Sequence, residues 1–252
     1  MEGYWPEAKR KLELGRRATT HMDFRQAEYY LAQARTAIAD NEGVDCARWG
    51  FATLDLATCA LRQKGHAPLA ARQGKNAMRV LLAAESPALR LAAAEAAIVV
   101  GDALGIMSRH DEAVLYYEFA SKTASAGKNA VSVASHADVR LAFAYTSVGN
   151  ATAAADAVLR AWATVGDENS WVHPLSASTA RWIIRCLERD GRFVDAMPVW
   201  ERLASNGFVD SDWLVLHKFV GAMAAVDLGD DAKYLFYRVE ETVERAAQKA
   251  AE

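Results

Sequence analysis

Alanine recurs in this chain like marks on a ruler. It stands at Ala27, Ala70, Ala113, Ala154, Ala196 and Ala232, giving intervals of 43, 43, 41, 42 and 36 residues. The residues that follow keep a fixed pattern: Ala27, Leu31, Ala34; Ala70, Gly74, Ala77; Ala113, Tyr117, Ala120; Ala154, Val158, Ala161. Steps of four and three trace one face of an α-helix. Just before each alanine lies a polar or glycine-containing break, at Asp23-Phe24, Gly65, Ser108–Asp111, Gly149-Asn150, Gly191–Phe193 and Gly229–Asp231. Ahead of each break runs another apolar helical stretch, such as Gly101 with Leu104, or Leu141 with Ala142 and Tyr145. The chain therefore reads as helix, tight turn, helix, repeated. One such pair cannot bury both of its apolar faces, so the copies must stack on one another. Where two helices cross at close range a small side chain is required, which explains the alanine. No segment combines period-two alternation with β-branched enrichment, so the expected class is all-α.

Composition narrows the functional classes. Of 252 residues, 52% are apolar and 24% charged, with 15 Gly and 5 Pro, as expected of an ordered chain. A net charge of −3 offers no general attraction to nucleic acid or to an anionic membrane. The most apolar stretch, Leu89–Met107, is broken by Arg90, Glu95 and Asp102 and reads as a buried helix. Cys46, Cys59 and Cys186 are too scattered for a disulfide framework, and the opening residues lack the blocks of a signal peptide. A cytoplasmic protein is expected. The six histidines form no HExxH pattern, and CxxC, GxSxG, P-loop and GxGxxG signatures are all missing. We expect no enzyme, no metal and no cofactor.

The order of residues within each copy (Leu-Gly, a later large apolar residue, a turn, then Ala, an aromatic or Leu, and Ala) resembles the tetratricopeptide repeat. The first and third copies match best; the second has Gly74 where an aromatic or Leu belongs, and the fifth has Leu203 in place of the second Ala. The resemblance implies a right-handed α-α superhelix, a solenoid of about six TPR-like helical hairpins. These fall near 7-42, 47-85, 88-126, 130-165, 177-206 and 210-249, within a single domain spanning 1-252. The usual period is about 34 residues, so a spacing near 42 means helices about one turn longer. It is similar to the extended repeats of kinesin light chain and of bacterial peptide-sensing regulators. A polar loop, Thr164–Ser178, and a charged tail, Val239–Glu252, fall outside the pattern, and the tail suits a terminal cap.

The same resemblance implies that the first helix of each pair lines a concave groove. Groove positions are then Lys9, Leu12 and Arg16; Asp55, Cys59, Arg62 and Gln63; Glu95, Ile98 and Asp102; and His136, Val139, Phe143 and Thr146. The fifth copy adds Arg181, Arg185, Glu188 and Arg189, and the last His217 and Gly221. Candidate partner-binding residues are Arg181, Arg185, Arg189, Arg16, Lys9, Arg62, Asp102 and Phe143. Arg181, Arg185 and Arg189 form one ridge whose like charges repel, and arginine's planar fork suits a carboxylate or phosphate. The expected function is a non-catalytic interaction module or adaptor holding a peptide or helix of a partner protein, with an acidic segment facing the ridge. The alternative is a ligand- or peptide-responsive regulator acting through a homodimer or partner contacts. The family's Lys/Asn clamp for a terminal carboxylate is not reproduced: Leu12 and Arg16 stand at its places in the first copy, and later copies offer Asp102 and Phe143.

Overall fold

The computed structural model describes residues 4–83, 86–124 and 130–165, and beyond them Ile184, Arg185, Leu187, Arg192, Ala196 and Val199. The described residues form eight α-helices and no strand: α1 (Tyr4–Thr20), α2 (Phe24–Glu42), α3 (Ala47–Leu61), α4 (Ala67–Leu82), α5 (Pro87–Ile106), α6 (His110–Thr123), α7 (Ala130–Ser147) and α8 (Ala151–Val165). Helices α1 and α2, α3 and α4, and α5 and α6 pack as consecutive pairs. The sixth copy lies outside the described residues, as do the loop after Val165 and the charged tail. Among the described residues no helix is long and apolar enough to cross a membrane. The chain divides into two compact units, Met1–Val148 with Arg160–Gly166, and Gly149–Leu159 with Asp167–Glu252.

The alanine ruler measures one turn geometry, copied along the chain. The amide of Ala27, Ala70, Ala113, Ala154 and Ala196 donates to the carbonyl four residues earlier, on Asp23, His66, Arg109, Asn150 and Arg192, at 2.9–3.2 Å. Each of these five alanines thus closes a first helical turn. The residue before that carbonyl is left-handed: Met22 (φ 59°), Gly65 (φ 84°), Ser108 (φ 59°) and Gly149 (φ 78°). A left-handed residue ends a helix by letting later amides reach back to its last carbonyls. Accordingly Asp23, Arg109 and Arg192 donate to the carbonyls of Ala18, Leu104 and Leu187, five residues earlier, at 2.7–2.9 Å. Asp23 and Asn150 also cap the next helix, accepting from the amides of Gln26 and Ala153.

In the first unit each helix packs on the next, and α3 and α5 also touch the following odd helix, whereas neighbouring even helices approach one another less. The odd helices therefore form the tighter layer. Small and large residues alternate across the crossings. A Cβ on Gly15 would lie 2.5 Å from Leu31 Cγ, and one on Gly101 would lie 2.5 Å from Tyr117 Cε1. The second copy reverses the arrangement: Gly74 sits on the second helix, and Val100 of α5 fills the space. That accounts for the missing large residue there. Leu31, Ile38, Leu81, Leu104 and Leu141 are fully buried between the layers.

One sequence expectation needs correcting. Leu12, Cys59, Ile98 and Val139 do not line an open surface; all are buried, because the odd helices pack side by side and cover that stripe. Trp5 packs against the first core with Arg48 over its ring, 4.0 Å from the centroid. In the second unit Ile184, Leu187, Ala196 and Val199 are buried, and Arg192 reaches the Thr152 carbonyl and the Asp156 carboxylate, the latter at 2.9 Å.

Candidate functional site

Gly101 begins the construction of the site. Because it has no side chain, the ring of Tyr117 lies directly against α5, and its hydroxyl reaches Asp102 Oδ1 at 2.7 Å. Arg140 of α7 approaches the same oxygen, Nε to Oδ1 at 3.3 Å, and also donates to His136 Nε2 one turn back on α7. Three helices are thereby tied through one carboxylate. Burial and the neighbouring Asp102 carboxylate drive the Tyr117 hydroxyl far above its ordinary pKa, so it remains a donor. Burial and the Arg140 guanidinium lower His136, which keeps it neutral and able to accept.

Above this cluster opens a cleft of about 380 Å3, lined by Leu61, Asp102, Gly105, Ile106, His110, Ala113, Tyr117, Arg140, Phe143, Ala144 and Ser147. Its rim carries two exposed apolar side chains, Ile106 at 62% and Phe143 at 41%. Gly105 leaves its wall open, since a Cβ there would have no atom within 4 Å. The cleft thus pairs an ion-paired polar wall with apolar edges.

Of the expected binding residues, the cleft brings together Asp102 and Phe143. Arg16 instead bridges to the next repeat, its guanidinium 2.8 Å from Asp55. Lys9 and Arg62 are exposed. Arg185 is helical and exposed, while Arg181 and Arg189 lie outside the described residues. Arg140, Tyr117 and Gly105 were not singled out as site residues. Arg140 could have been found by noting that Asp102 needs a cation on the next first helix, as Arg16 and Asp55 pair between the first two. Asp55 is the most perturbed carboxyl of this layer: burial pushes it up to about 6, Arg16 pulls against that, and Glu95 adds to it. Glu95 is raised by burial too. Among the described residues no group of three or more His, Cys, Asp or Glu is placed to hold a metal.

No family model matches the chain, and no curated protein matches it either. Among solved structures, a kinesin light chain from Podosopora anserina described as having nearly identical TPR-like repeats superposes with a TM-score of 0.62. It is 16% identical, and the match covers 81% of this chain and 96% of that one. Helices stacked in sequence, a turn repeated at the ruler spacing and this superposition agree: the chain has the fold of a TPR-like helical solenoid.

Proposed function

We propose that the chain is a non-catalytic interaction module that holds a peptide or helical segment of a partner protein along its odd-helix layer. The observation that carries this reading is the open cleft between α5 and α7, which joins Phe143 and Ile106 to the Asp102–Arg140 pair. Apolar rim residues supply area to bury, and the paired charges orient what lies there. Lys9 and Arg16 on α1 and Arg62 just after α3 add positive charge, and the sequence spaces Arg181, Arg185 and Arg189 four apart, so an acidic segment is the proposed partner chemistry. A net charge of −3 speaks against nucleic acid as that partner.

The test is a displayed-peptide selection against the full-length chain, followed by titration of the enriched peptides. Binding should weaken at least tenfold in Phe143→Glu, and Arg185→Glu should weaken acidic peptides and reduce the salt dependence of those that remain. Failure to enrich any sequence, or peptides indifferent to both substitutions with helicity retained, would overturn the reading.

A further inference from the structure

We infer that the α5–α7 cleft is also a binding site for a small zwitterion, an α-amino acid with an apolar side chain, recognised through Asp102 and Arg140 together. The ion pair leaves some of its polar atoms unused among the described residues. Tyr117 donates to Oδ1 of Asp102, and Arg140 Nε forms an ion pair with the same oxygen at 3.3 Å. Asp102 Oδ2 receives no donor among the described residues. Arg140 donates its Nε–H to His136, and its two terminal nitrogens make no hydrogen bond among the described residues. Both residues line the cleft, so its polar wall holds a carboxylate oxygen and a guanidinium edge that have no partner among the described residues, on a pair braced by Tyr117 and His136. An α-ammonium donates to the first and an α-carboxylate accepts from the second, side by side as they occur on one α-carbon. A ligand with only one of these charges leaves the other half of the pair facing it unmatched.

Size and polarity agree with this class. The volume of about 380 Å3 falls within the roughly 300–1,000 Å3 usual for small-ligand sites, where a few polar groups fix orientation and apolar walls take the rest. Phe143 and Ile106 stand ready to cover an apolar side chain, and Gly105 keeps the wall clear. The site needs no protein partner, so it stands or falls apart from the peptide-binding reading. If both hold, the amino acid competes for part of the partner's footprint.

Isothermal titration of the full-length chain with L-phenylalanine and L-leucine tests the inference, with phenethylamine and 3-phenylpropionate as the analogues lacking one charge. Saturable binding is expected for the amino acids, at least tenfold tighter than for either analogue. Gly105→Leu, which fills open space, should abolish that binding while the far-ultraviolet spectrum and melting temperature are kept. Arg140→Gln should weaken the amino acid to the level of the amine alone. No saturable heat at millimolar amino acid would overturn the site. So would analogues that bind as well as the amino acids, or unchanged binding in folded Gly105→Leu.

Discussion

Met22 and Ser108 occupy the backbone position that Gly65 and Gly149 fill in the other described turns. A side chain there crowds the carbonyl that follows it, at a cost of about 1–2 kcal/mol relative to right-handed backbone. Met22 is 73% exposed and has no packing to lose. Met22→Gly should therefore raise the free energy of unfolding by about 0.5–1 kcal/mol, read from urea denaturation. The two neighbouring glycines of α5 should respond in opposite directions to alanine. At Gly101 the new methyl meets the Tyr117 ring, so Gly101→Ala should destabilise by about 1–3 kcal/mol and dislodge the hydroxyl from Asp102. Gly105→Ala meets nothing and restores helix propensity, so a gain of about 0.5 kcal/mol is expected. Equal effects at the two sites would contradict the packing described here.

Between elements, the odd helices are joined by ion pairs whose polarity alternates: Arg16 of α1 with Asp55 of α3, and Asp102 of α5 with Arg140 of α7. The first pair has a measurable signature. Burial raises the Asp55 carboxyl to about 6 from an unfolded value of 3.8. A carboxyl raised on folding binds its proton more tightly in the native state, so its contribution to stability is greatest below about pH 4 and diminishes as pH rises through 6. Relative to Asp55→Asn, the wild-type chain should lose stability between those values, on the order of 3 kcal/mol as an upper bound. Parallel urea titrations at the two pH values check this. Removing the cation with Arg16→Met should push the Asp55 midpoint higher still, which carboxyl-carbon NMR would follow. At the end of the same unit Asp138 is held by Ser121 and Arg160 in a buried setting that likewise raises its pKa.

At the scale of the molecule, stability in a stack is close to a sum over hairpins and their interfaces. The first core is shared: Ala8, Leu12, Leu31 and Ile38 of the first hairpin bury Ala52, Leu56 and Cys59 of α3. Deleting residues 1–43 should uncover that face and lower stability on the order of 3 kcal/mol. The helical signal should fall only in proportion to the residues removed. A wholesale loss of helicity would instead mark a fold that depends on its first hairpin.

The local plan of this protein was written in its order of residues. Helix periodicity, the glycine and asparagine breaks and the ruler alanines depend on neighbours within a turn or two, and among the described residues each appears where the pattern placed it. Met22 and Ser108 stayed illegible as left-handed residues, because nothing in their chemistry asks for that backbone; the repeat imposes it. Which faces stay open was decided by tertiary packing alone. Leu12, Cys59, Ile98 and Val139 carry the same helical spacing as groove positions, yet burial took them, since an adjacent odd helix lies against that stripe. The cleft likewise needs Asp102, Tyr117 and Arg140 from three helices to meet at one oxygen, a meeting fixed by how the hairpins stack and by no spacing along the chain.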